Sequence, residues 1–117
     1  MIHEEKKITK IVEELTLYFF AIGGTEMNSQ IKREKNDVVI TFSSNYKSEY
    51  KREIKKLEEY LCEPKNIGME DIYWELVGSG DPGECSQLLM IGMMIDSHEI
   101  KKSDNHIEIV MHRKNIG

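Results

Sequence analysis

Cysteine is scarce in this chain, which carries only Cys62 and Cys85 in 117 residues. They stand too far apart for a C-x-x-C metal or redox pair and are too few for a disulfide framework, so a reducing compartment is expected. Long apolar runs are missing as well. The longest, Leu88 to Ile95, falls far short of the ~20 residues that span a bilayer. The start, Met1 to Lys7, is charged and has no apolar signal core, so the reading is a cytoplasmic protein that does not enter a membrane. Positive charge is not in excess either. A net charge of -5 argues against general nucleic-acid binding, which leaves a basic footprint to neutralise phosphates.

The sharpest absence is local. Between Asn66 and Ile100 there is no Lys or Arg, while Glu70, Asp71, Glu75, Asp81, Glu84, Asp96 and Glu99 contribute -7. The rest of the chain, holding all 16 basic residues, is therefore +2. Such asymmetry speaks of surface electrostatics and partner steering, not of fold.

What is present fits one core. A chain of this length buries roughly 65% of the surface its unfolded form exposes, so a single domain over residues 1–117 is expected. From Glu4 to Ile22 the residues Ile8, Ile11, Val12, Leu15, Tyr18, Phe19 and Ile22 recur at three and four, the spacing of one helical face. Gly23 and Gly24 should end that helix, since glycine accepts the left-handed cap conformation. Met27 to Glu34 and Asp37 to Ser44 then read as a hairpin. Ile31, Val38, Ile40 and Phe42 share one alternating face, and Asn36 in the turn tolerates positive φ.

Ser44 or Asn45 is placed to cap a second helix striped by Tyr46, Tyr50, Ile54, Leu57 and Leu61 and ended by Pro64. A short helix is expected over Met69 to Val77. Another, opened by Asp81, Pro82 and Glu84, runs through about Ile95 and should be the most buried, being apolar nearly all round from Leu88. Ser97 to Ser103 and His106 to Arg113 form a second hairpin, turning at Asp104 and Asn105. Shifted by 69 residues, Ile31 falls on Ile100, Asn36 on Asn105, and Val38, Ile40 and Phe42 on Ile107, Ile109 and Met111. Internal duplication and shared hairpin chemistry both produce that match. The fold class is α+β, in the order α-ββ-α-α-α-ββ. Its four strands form a largely antiparallel sheet covered by helices on one face.

Candidate chemistry is thin. The stretch Gly78 to Gly83 precedes a helix start, where backbone amides can hold phosphate. Asp81 and Glu84 already meet that positive end, and no P-loop lysine follows. His106 and His112 lie six apart on one strand, about 20 Å, too far to share an ion; the histidines read as solvent-facing. Cys62 neighbours Glu63, which opposes a thiolate, and Cys85 reads as a small core residue. Met90 and Met93 are assigned to the core and Met94 partly so. Trp74, between Tyr73 and Glu75, is read as facing outward.

The order of elements, with Glu13, Glu14 and Leu15 on the first helix and Gly78 to Gly80 followed by Leu88 to Gly92, resembles the histidine-kinase-like ATPase fold, in particular the small anti-sigma-factor kinases of bacteria. That resemblance implies a Mg-ATP or ADP site involving Glu14, Gly78, Gly80 and Gly83. The family's Asn on the first helix is replaced by Tyr18, Phe19 and Phe20, and its D-x-G-x-G loop by Ser43, Ser44 and Asn45. ATP hydrolysis is therefore not expected, and Glu14 beside Glu13 reads as a solvated charge.

Two functions follow from the sequence. The first is a non-catalytic regulatory or protein-interaction module without a cofactor. It would dock a basic or amphipathic protein partner through Glu70, Asp71, Trp74 and Glu75, with a homodimer open. The second is a degenerate ATP- or ADP-binding domain. No catalytic or metal-binding residue is assigned under either.

Overall fold

The computed structural model describes residues 4–62 and 85–114. The first helix, α1 (Glu4–Ala21), leads into β1 (Met27–Arg33) and β2 (Asp37–Asn45). A single 3-10 turn (Ser48–Tyr50) opens α2 (Lys51–Leu61), and α3 (Cys85–Met94) precedes β3 (Ser97–Ser103) and β4 (His106–Lys114). The strands form one antiparallel sheet in the order β1-β2-β4-β3. The expected α+β class and the order of its described elements are observed. The short helix over Met69 to Val77 and the start at Asp81 lie outside the described residues.

The alternation read in the strands is what buries them. Val38, Ile40 and Phe42 on β2 and Ile107, Ile109 and Met111 on β4 all turn to the helix side, as a period of two requires when one face of a sheet is covered. They meet Ile8, Ile11, Leu15 and Phe19 of α1, Ile54, Leu57 and Leu61 of α2, and Leu88, Met90, Ile91 and Met94 of α3 in one apolar cluster. Each such side chain contributes on the order of 1.5–3 kcal/mol by leaving water. In α3 the assignment of methionines is corrected: Met94 is wholly buried and Met93 is half-buried. Met90, Ile91 and Met94 keep the three-and-four spacing that points into the core, and Met93 lies off it.

Helix α1 ends as its glycines predict. Gly23 adopts φ +89°, and its N–H donates to the Phe20 carbonyl while that of Gly24 donates to the Phe19 carbonyl at 2.7 Å. This pair of bonds is a Schellman cap. The second helix starts otherwise than expected. Strand β2 runs on through Asn45, so neither Ser44 nor Asn45 caps it, and the 3-10 turn and α2 begin without a side-chain cap. Asn45 instead accepts from the N–H groups of Thr25 and Glu26 at 2.8 and 3.0 Å and donates to Thr25 Oγ1. It thus pins the link between α1 and β1.

The 69-residue correspondence extends to the ladder. Asn28 faces Ser43 where Ser97 faces His112, and Ile31 faces Ile40 where Ile100 faces Ile109. At the centre of the β2–β4 seam Thr41 faces Val110, its own counterpart under the shift, so an approximate two-fold axis passes between them. The turns differ. Asn105 sits in the left-handed region at φ 54°, alone among the described non-glycine residues. Asn36 does not, its turn closing through the Glu34 N–H and the Asp37 carbonyl.

Candidate functional site

Of the residues singled out for binding, Glu70, Asp71, Trp74, Glu75, Gly78, Gly80 and Gly83 lie outside the described residues. Glu14 is described, and it is not the solvated charge its neighbour Glu13 suggested. It is fully buried, with Lys10 Nζ 2.9 Å from Oε1. Its position three residues beyond Ile11 places it on the inward side of α1, a signal that the acidic pair Glu13 and Glu14 masked. The space between α1 and the sheet is filled by Ile11, Leu15, Phe19, Ile40 and Phe42, all at or near zero exposure.

Three more charged groups, Glu4, Lys7 and Arg113, lie in the interior among the described residues. Arg113 Nε and Nη2 donate to Glu4 Oε2 and Oε1, each at 2.8 Å, and Nη1 donates to the Met94 carbonyl at 2.6 Å. The fork joins the first turn of α1, the last carbonyl of α3 and the end of β4. Arg113 continues the inward series Ile107, Ile109, Met111, and this parity was the available signal for it.

A surface groove of about 480 Å³ runs between α2 and the tip of the second hairpin. Buried Tyr46 and Ile54 form its floor; Lys51, Lys55 and Lys102, with the carboxylates of Glu58 and Asp104, stand around it. Lys51 and Lys55 come together because residues four apart share a helix face. Lys102 reaches the groove because the Tyr46 N–H donates to the Asn105 carbonyl at 3.0 Å, tying the chain entering α2 to the hairpin turn. Lys102 Nζ donates to Glu58 Oε1 at 2.7 Å. That bond, opposed by partial burial, holds the Lys102 ammonium above the ordinary lysine value. Lys47, Lys51, Arg52, Lys55 and Lys56 are all exposed, as are Glu49 and Glu59 between and beside them, and the groove's own lining sets three lysines against the carboxylates of Glu58 and Asp104.

At the other end of β4, a second depression of about 410 Å³ is lined by Asn36, Asp37, Asp96, Ser97, His112 and Lys114. His112 Nδ1 lies 3.4 Å from Asp37 Oδ2, and Asp96 Oδ2 accepts from the Lys114 N–H. His98 and His112 are half-buried and His106 is exposed. Cys62 is exposed and free. Among the described residues no three His, Cys, Asp or Glu side chains gather closely enough to hold a metal ion, and no helix is long and apolar enough to cross a membrane. No family model, curated protein or solved structure matches the chain.

Proposed function

We propose that the protein is a non-catalytic interaction module that binds other proteins through surfaces of opposite charge. The observation that carries this reading is the lysine-lined groove beside α2. There Lys51 and Lys55 stand over an apolar floor with no carboxylate bonded to them among the described residues. A groove of that chemistry accepts an acidic polypeptide segment whose apolar side chain reaches Tyr46 and Ile54. For a basic or amphipathic partner the reading rests on the sequence alone, on the acidic run that holds Glu70, Asp71 and Glu75 with Trp74 among them.

Capture of partners from a lysate at low and high salt tests both surfaces. Lys51→Glu with Lys55→Glu removes an acidic set of partners, and reversal of Glu70, Asp71 and Glu75 removes a basic set. A partner set unchanged by either reversal sinks the proposal. The nucleotide reading rests on Glu14 and the glycines Gly78, Gly80 and Gly83. It is not favoured by a Glu14 carboxylate that water does not reach. Titration calorimetry with ADP and with Mg-ATP decides it, heat at millimolar nucleotide being the result that would revive it.

A further inference from the structure

The strand order leaves β1 and β3 at the edges of the sheet. In an antiparallel ladder, residues alternate between exchanging backbone hydrogen bonds with their neighbour and directing those groups away from it. The second hairpin turns through Asp104 and Asn105, so the pair that closes it, Ser103 with His106, is hydrogen-bonded. By alternation so are Lys101 with Glu108 and Glu99 with Val110. The N–H and C=O groups of His98, Ile100 and Lys102 therefore point away from β4. Among the described residues no strand receives them.

The side chains on this strand are patterned to match. Glu99 and Lys101 are exposed on the sheet face away from the helices, and among the described residues neither makes an ion pair. Ile100, between them, turns to the helix side and packs at the margin of the core. Lysines on an edge strand ordinarily block pairing with other chains. Here a carboxylate two residues away makes the strand self-complementary.

We propose that the β3 edge is a dimerisation surface for a second copy of this chain. The two β3 strands run antiparallel about a two-fold axis at Ile100. In that register Ile100 faces its own copy and exchanges both backbone hydrogen bonds with it. His98 and Lys102 do the same with the partner's Lys102 and His98, since all three direct their backbone groups outward. Glu99 faces the partner's Lys101, and Lys101 the partner's Glu99, at the closer, non-hydrogen-bonded positions where Cα atoms stand about 4.5 Å apart. Opposite charges at directly facing positions stabilise a strand pair, and like charges there destabilise it.

The same charges reject the adjacent registers. Moving the axis by one residue toward the start of the strand sets Glu99 against the partner's Glu99. Moving it by one toward the end sets Lys101 against the partner's Lys101. Edge β1 offers no such selection, because Asn28, Gln30 and Lys32, its residues on that face, include no carboxylate. The two-fold β3 pair closes on itself, giving an eight-stranded sheet.

A single seven-residue strand pair is a small interface, so sedimentation equilibrium over about 1 to 500 µM protein is the measurement. The expected result is a monomer–dimer equilibrium in that range. Glu99→Lys or Lys101→Glu alone places like charges across the axis twice and raises the dissociation constant about tenfold or more. The double variant Glu99→Lys with Lys101→Glu restores the pairing with signs reversed and returns it to near the parent value. Both positions are exposed, and unchanged circular dichroism shows that the variants fold. A parent chain that stays monomeric throughout overturns the proposal, as does a dimer indifferent to the single reversals or one the double reversal fails to restore. The groove lysines Lys51 and Lys55 take no part in this register, so partner capture and dimerisation fail or succeed separately.

Discussion

Replacing Arg113 by methionine would strip the buried Glu4 carboxylate of its two-pronged partner and leave the Met94 carbonyl without its donor. Glu4 and Arg113 are 7% and 3% exposed, so water cannot readily replace the lost bonds. Removing one member of a buried pair costs about 3–5 kcal/mol, a large share of the roughly 5–15 kcal/mol that holds a domain of this size together. Urea unfolding followed by far-UV circular dichroism reads the loss. With a slope of about 1–3 kcal/mol per molar urea, the midpoint falls by about 2 M. The companion variant Glu4→Leu with Arg113→Met exchanges the pair for apolar volume and should lie within about 1–2 kcal/mol of the parent, because the desolvation of both charges is removed with their attraction. A thermodynamic cycle over the two positions then shows a coupling of at least about 1 kcal/mol. If Arg113→Met costs less than about 1 kcal/mol, or the two substitutions simply add, the fork is not the tie described above.

Gly24→Ala brings a Cβ to 2.8 Å from the Phe19 carbonyl oxygen and 2.8 Å from Ser44 Oγ; because the first is backbone in the Schellman cap, the loss should be about 1–3 kcal/mol, and a melting temperature equal to the parent's would refute the close approach. Lys102→Met tests a pH dependence. The Lys102 ammonium is held above the ordinary lysine value of 10.5 by Glu58, so the pair's contribution is fully present below that value and is lost as pH rises through the raised one. Lys102 is 47% exposed and solvent screens the pair, which limits the contribution to about 1 kcal/mol or less. Parent and variant should differ by that small amount at neutral pH and converge above pH 10.5; a gap that widens on the alkaline side contradicts the assignment.

The hairpins were legible because period-two apolar positions bounded by asparagine turns admit few other structures, and the glycine cap of α1 because a left-handed residue was needed there. The interior charges were not. Glu4, Lys7 and Glu14 lie at helical spacing from Ile8 and Ile11 and are buried with them. A charged residue read alone is assigned to water, and only the arrival of Arg113 from the far end of the chain reverses that for Glu4. Asn45 was legible as a polar residue with local hydrogen-bonding capacity but not in its choice of partners. It serves the turn before β1 rather than the helix after β2, because the strand pairing carries it there. The groove at α2 shows the same division. Lys51 and Lys55 could be placed on one helix face by counting, whereas Lys102 reaches them through a contact between Tyr46 and Asn105 that no local pattern encodes.

The seam between β2 and β4 has a consequence for how the chain reaches this structure. Each hairpin closes within a few residues, but the seam joins Asn45 to His106 and Asp37 to Lys114, partners about 60 to 80 residues apart, and pairing that distant must meet its loop-closure entropy before its contacts repay it. Hairpins should therefore form early and the seam late, with folding limited by their docking. The fork between Glu4 and Arg113 spans nearly the whole chain and would close with that step. Its removal should then speed unfolding more than it slows folding, since interactions absent from the transition state act on the unfolding limb.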